Sequence, residues 1–220
     1  APYKNIEGIS LFCKKYKNNK DFIFNIFGDE KRINVELKKH NIPNEKFKIF
    51  HTDTIVSDNE TPLTAVKSSK NSSMWNCVFS QVKSESDISL SAGNTGALLV
   101  ISRMILKTIN GVSKPALAGL WPNFINMNIV LDLGANIECD ENNLIEFAEM
   151  GSALHKSLFP NEKTKVALLN VGSEEIKGTD ILKSAYKKLN DLSGENHFIF
   201  NGYTEGNEIM SGNSNVIVTD

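Results

Sequence analysis

No stretch of the sequence approaches the roughly 18 consecutive apolar residues that a helix needs to cross a bilayer. The opening, APYKNIEGISLFCKKYKNNK, sets charges on both sides of a short apolar patch, so neither a membrane span nor a signal peptide is expected. Cysteine is scarce: Cys13, Cys77 and Cys139 are odd in number, far apart and outside any Cys-x-x-Cys spacing, which argues against a disulfide framework and fits a reducing compartment. Histidine is equally sparse. His40, His51, His155 and His197 form no His-x-x-x-His pair and have no cysteine close by, so no metal site is expected. Excess charge is missing too, since 24 basic against 26 acidic residues leave a formal net charge of -2 and no general attraction for nucleic acid. Neither Gly-x-x-x-x-Gly-Lys-Ser/Thr nor Gly-x-Gly-x-x-Gly occurs, so the P-loop and the common dinucleotide fingerprint lack support.

What is present is an ordinary globular composition, 40% hydrophobic over 220 residues, long enough for one large α/β domain or two small ones. Short β-favouring apolar runs alternate with longer segments whose apolar residues recur every three or four positions, the pattern of repeated strand-helix units. Strands are expected at 22–27, 47–50, 87–91, 116–120, 129–133, 166–171, 198–200 and 216–219. Helices are expected after Gly28 and at 62–83, 94–108, 141–158 and 179–189. Only eight residues separate Leu120 from Ile129, too few for a helical crossover, so those two strands are expected to meet as an antiparallel hairpin. The reading is of a single α/β domain over 1–220, a mostly parallel sheet covered by helices.

Ligands of open α/β sheets bind beyond the carboxyl ends of the strands. Three strands here run into glycine-bearing turns, ISLSAGNTGALLV, IVLDLGANIECDE and VALLNVGSEEIKG, which are expected to share one edge. In the first, Gly93 and Gly96 let a ligand approach the backbone, with Ser91, Asn94 and Thr95 as cap and donors, and the free N–H groups of the following helix suit an oxyanion. The second repeats this chemistry with Asp132, Gly134, Ala135 and Asn136. The third offers Gly172, the carboxylates Glu174 and Glu175, and Lys177 as a cation for phosphate oxygens. Each turn also fits a capped strand-to-helix turn with no ligand, and Lys177 fits an exposed surface lysine.

In this order and near this spacing, SAGNTGALL, LDLGAN, FAEMGSALHK, LLNVGSEEIKG, FNGYTEGNEI and NVIVTD resemble the phosphate acyltransferase PlsX family of bacterial phospholipid synthesis over nearly the whole chain. The earlier DNETPLTAVKSSKNSSM resembles the segment before that family's first glycine turn. The resemblance implies transfer of a fatty acyl group from acyl carrier protein to inorganic phosphate, with no metal or other cofactor. It also implies a Rossmann-like three-layer α/β/α sandwich with a mixed sheet, similar to phosphotransacetylases and to isocitrate and isopropylmalate dehydrogenases. A cytoplasmic bacterial homodimer is implied as well, with peripheral membrane contact in the full-length protein.

Inorganic phosphate is already a nucleophile at neutral pH, so such an enzyme has to position the anion against a thioester carbonyl and stabilise the tetrahedral oxyanion. On this reading the backbone of Gly93 to Gly96, with Asn94 and Thr95, cradles phosphate, Lys177 neutralises charge, and Asn136 adds an amide donor. Glu174 or Glu175 orients Lys177 or accepts a proton. Relative to the family pattern the chain opens where an Asp-Ala-Met-Gly-Gly-Asp segment has just ended and stops at Asp220 before a further turn, so an internal piece lacking the first strand and C-terminal part is expected. Two rival readings are a phosphotransacetylase-like enzyme that uses coenzyme A thioesters and a non-catalytic anion- or acyl-binding remnant.

Overall fold

The computed structural model describes residues 2–19, 21–61, 64, 67, 69–194 and 198–219. They form two compact units, Ala1–Lys107 and Thr108–Asp220.

The first unit opens with helix α1 (Pro2–Lys15), followed by strand β1 (Phe24–Gly28), helix α2 (Glu30–Lys39) and strand β2 (Phe47–His51). Sequence reading took the α1 segment only as an apolar patch between charges. It is an amphipathic helix whose Ile6 and Ser10 are buried one turn apart, with Ile9 and Cys13 partly buried beside them. Strands β1 and β2 pair in parallel from Phe24↔Phe47 to Gly28↔His51. Ile6, Ile33, Leu37 and Ile42 close their core with Ile26 and Ile49. Helices α3 (Ser73–Val82) and α4 (Thr95–Leu106) enclose a second core of Met74, Val78, Ala97 and Ile101. Of the helix expected at 62–83, residues 62, 63, 65, 66 and 68 lie outside the described residues, as does His197.

The strand expected at 87–91 does not form. The segment is tied to α3 through side chains instead of a ladder: Gln81 Nε2 donates to Asp87 O at 3.0 Å, and Ser89 Oγ donates to the α3 carbonyl of Cys77 at 3.0 Å. Ile88 and Leu90, whose apolar character suggested the strand, are exposed.

The second unit contains β3 (Gly119–Pro122), β4 (Met127–Leu131), α5 (Glu141–Leu158), β5 (Thr164–Leu169), α6 (Asp180–Leu192), β6 (Phe198–Thr204) and β7 (Val216–Val218). The sheet order is β3-β4-β7-β5-β6, antiparallel only between β3 and β4. The expected hairpin is there, with Leu120 opposite Ile129. Strand β3 starts three residues later than the expected 116, because Leu117 N–H is taken by the Asp132 carboxylate at 2.7 Å instead of a ladder partner. The chain is therefore α/β, a Rossmann-like fold with a mostly parallel mixed sheet.

Helix α5 spans the residues its periodicity predicts. A reciprocal cap of Asp140 and Asn143 starts it, and Leu144, Phe147, Ala148, Gly151 and His155 form its buried stripe. Gly151 marks its closest approach to the sheet, where a Cβ would lie 2.6 Å from Val216 Cγ1 and 2.7 Å from Leu131 Cδ1. Helices α5 and α6 cover the face carrying Ile129, Leu131, Val166, Leu168, Val216 and Val218. Alternate residues Val130 and Ile217 point to the other face, where they meet Ile209, Trp121 and Leu169. Strand β6 carries a bulge: Val166 faces Phe200 but Leu168 faces Tyr203, and Gly202 takes φ +80° within the extra residue's turn. Among the described residues no helix is long and apolar enough to cross a membrane.

Candidate active site

Because β4, β7, β5 and β6 run parallel, their carboxyl ends share one edge. The turns after β4 and β5, carrying Gly134 and Asn136 and then Gly172, Glu174, Glu175 and Lys177, both rise from it. The third expected turn, with Ser91, Gly93, Asn94, Thr95 and Gly96, belongs to the first unit.

The turn after β4 is organised by Asp132, only 2% exposed. Its Oδ1 accepts from Leu117 N at 2.7 Å, while Oδ2 accepts from Asn136 N at 2.7 Å and from Asn136 Nδ2 at 2.9 Å. A carboxylate this deep is tolerated only when its lone pairs are met, and these three donors meet them. The Asn136 amide also donates to Pro115 O at 2.8 Å, which commits both of its amide hydrogens. Gly134, at φ +80°, has open space where a Cβ would stand, so the turn leaves its backbone accessible.

In the turn after β5, the Lys177 ammonium pairs with Glu174 Oε1 at 3.0 Å, both side chains about half exposed. Lys177 N–H donates to Glu174 O at 3.0 Å, closing a tight inner turn. The lysine stem lies across Gly172, where a Cβ would meet Lys177 Cδ at 2.5 Å. Lys177, through its hydrogen bond and then its charge, holds the Glu174 carboxyl below the usual glutamate range. Glu175 points elsewhere, accepting from Tyr186 Oη on α6 at 3.1 Å. Burial first, and then the Glu175 carboxylate, pushes the Tyr186 phenol above its usual range. The adjacent glutamates thus divide: Glu174 attends Lys177 and Glu175 ties the turn to the helix.

In the first unit Asn94 caps α4, its Oδ1 accepting from Ala97 N at 2.9 Å. Its Nδ2 donates to Glu60 O at 3.0 Å and Asp58 O at 3.3 Å, so the amide strings a preceding loop to the helix start. Gly93 N–H donates to Ser91 Oγ at 3.2 Å. Thr95 and Gly96 occupy the first turn of α4, where backbone N–H groups have no intrahelical acceptor.

Asn170 and Tyr186, which order the turn after β5, were not singled out in the sequence, whereas Asp132 was named there for the turn's anion chemistry and instead holds the turn from inside. The signal available was a polar residue directly ending an apolar strand, as in VLD and LLN, where burial demands a hydrogen-bonding purpose. Among the described residues no group of three or more His, Cys, Asp or Glu is placed to hold a metal ion.

The family model described as fatty acid synthesis protein matches residues 1–220. A phosphate acyltransferase of Pelagibacter ubique is 50% identical over 220 residues, covering 100% of this chain and 64% of that protein. One from Maricaulis maris is 36% identical over 220 residues, covering 100% of this chain and 62% of the relative. The chain thus spans less than two thirds of the length of these curated relatives. Among solved structures, the EutD phosphotransacetylase from Staphylococcus aureus superposes with a TM-score of 0.64 at 18% identity, over 98% of this chain and 75% of the other. A branched-chain phosphotransacylase from Enterococcus faecalis gives 0.60 at 15% identity, over 96% and 73%. At such identities the two structures speak for the fold alone. The full-length match and the 50% identity settle kinship: the chain belongs to the fatty acid synthesis protein family, the family of the phosphate acyltransferases that its motifs resemble.

Proposed function

We propose that this protein is an acyltransferase that moves a fatty acyl group from acyl carrier protein to inorganic phosphate, giving acyl phosphate for phospholipid synthesis. The observation that carries the reading is the Lys177 ammonium, laid over Gly172 and paired with Glu174 at the edge where the parallel strands end. The relatives named phosphate acyltransferases support it.

In this reaction a phosphate oxygen attacks the thioester carbonyl, a C–O bond forms, and the tetrahedral intermediate collapses with loss of the C–S bond. The proton carried by hydrogen phosphate ends on the carrier's thiol. No protein nucleophile is needed, so positioning and charge stabilisation supply the rate. Lys177 is assigned to the developing oxyanion or the phosphate charge. A phosphate dianion competes with the half-exposed Glu174 for it, which an exposed ion pair permits because it contributes little by itself. Within the first unit, the N–H groups of Thr95 and Gly96, at the positive end of the α4 dipole, suit the oxygens of an anion in their own right. Asn94 and Asn136 hold the turns in shape, their amide hydrogens being spent inside the protein. A homodimeric, cytoplasmic protein with peripheral membrane contact accompanies this reading.

Phosphate-dependent consumption of acyl thioester tests it. Acyl phosphate formed from acyl carrier protein is the expected result. Exclusive use of acyl-coenzyme A would replace this reading with the phosphotransacetylase-like one, and phosphate binding without turnover would leave only a binding module.

A further inference from the structure

The segment between β5 and α6 begins and ends on one side chain. Asn170 directly follows the last residue of β5, and its N–H donates to Thr204 O at 3.0 Å, one step beyond the β5–β6 ladder. It is 8% exposed. Its amide oxygen accepts from Val171 N at 2.9 Å, and its amide nitrogen donates to Lys177 O at 3.2 Å. Gly178 then turns at φ +89°, and a Cβ on it would fall 2.5 Å from Asn170 Oδ1. The chain leaves the sheet and returns against the same buried amide. A half-satisfied amide at that depth is costly, so the turn is held to one closure.

We infer that Asn170 is a positioning residue: it closes this turn onto the sheet and thereby sets where the Lys177 ammonium stands. The consequence for catalysis rests on the acyl-transfer reading above; the geometry does not. Among the described residues, Lys177 is bonded through its own N–H and ammonium only to Glu174, which belongs to the same turn and moves with it. Those contacts shape the turn but do not fasten it. Among the described residues, two side-chain hydrogen bonds reach outside: that of the buried Asn170 amide at the sheet, and the exposed Glu175–Tyr186 bond at α6. The buried one is shielded from competing water and is the stronger constraint.

Asn170→Ala, made in the intact protein with Lys177 present and with Lys177→Ala, tests the inference. Amide hydrogen exchange reads the geometry without turnover. Protection at Lys177 N–H should fall at least about tenfold, while Val166 and Leu168 in β5 stay protected. Wild-type protection at Lys177 would overturn the inference. Turnover of acyl thioester with inorganic phosphate reads the consequence. Asn170→Ala alone should lower kcat about 30-fold or more, since small misplacements of a reacting group carry losses of that order. With Lys177 already Ala, the further loss should be under about threefold, because the two changes act through one group. Equal losses in both backgrounds would mark a merely structural residue and overturn the assignment. Should Asn170→Ala fail to fold, Asn170→Asp, which keeps an acceptor for Val171 N–H but no donor for Lys177 O, carries the same comparisons. A wild-type protein that makes no acyl phosphate from any thioester sinks the acyl-transfer reading alone, since exchange still decides the geometry.

Discussion

Lys177 and Gly172 are fitted to each other: the lysine stem crosses the glycine so closely that a Cβ there would stand 2.5 Å from Lys177 Cδ and 3.0 Å from its Nζ. Gly172→Ala therefore displaces the lysine and its partner Glu174, whose Oε2 would lie 2.8 Å away, and leaves the core untouched, because the obstructed atoms belong to two flexible, half-exposed side chains. Turnover should fall by at least about tenfold, while the urea unfolding midpoint stays at the wild-type value. A fully active Gly172→Ala protein would show that the observed lysine placement is irrelevant to catalysis.

Removing the ammonium altogether is more severe. Lys177→Ala should cost about 10²–10³ in kcat, the usual loss for one charge-stabilising donor. Lys177→Arg should recover little, since a planar guanidinium does not reproduce a point charge laid across a glycine. Steady-state assays of the two variants measure both.

Glu174 gives a pH signature. Its carboxyl titrates below the usual glutamate range because Lys177 hydrogen-bonds its charged form. A depressed folded-state value means that the pair's stabilisation is complete above the ordinary glutamate range and is lost as pH falls through the lowered value. Carboxyl NMR titration should find this midpoint below that of a free glutamate and find it restored in Lys177→Ala. Identical midpoints would contradict the pairing.

Asp132 and Asn94 distinguish shape from chemistry. Asp132→Ala strands the Leu117 and Asn136 N–H groups at a buried position and should destabilise the protein by about 1–3 kcal/mol. Asn94→Asp keeps a competent helix cap but loses both donors to the Asp58 and Glu60 carbonyls. Activity in Asn94→Asp should drop with the thermal midpoint shifted far less than in Asn94→Ala, as calorimetry will read.

At the helix–sheet contact, Gly151→Ala pushes a methyl group into Val216 and Leu131, which are 0% and 3% exposed. Overpacking of this kind costs about 1–3 kcal/mol. Denaturant unfolding should show that loss with the KM for phosphate unchanged.

Periodicity alone was enough where burial and pattern coincide. Helix α5 presents an uninterrupted apolar stripe after a polar cap, and its expected bounds hold; the Leu120–Ile129 pairing followed from a link too short to cross over. Pattern failed where burial is thin. Helix α1 buries little beyond Ile6 and Ser10, and the apolar residues at 88 and 90 face outward beside α3. In the candidate site, spacing marked the turns but not the directions of their side chains. Adjacent Glu174 and Glu175 have no sequence rule to separate them; only the inner turn around Lys177 and the position of Tyr186 on α6 do. The amides of Asn94 and Asn136, which the sequence offers as outward donors, are turned inward by carbonyls distant along the chain.

The bulge in β6 sets a phase for everything beyond it. Phe198 and Phe200 alternate inward, and the extra residue lets Tyr203 rejoin them beneath Tyr186, whose hydroxyl reaches Glu175. Deleting a single residue at 201 or 202 would reverse inside and outside for the end of that strand, withdrawing the aromatic shelf on which the lysine-bearing turn is propped.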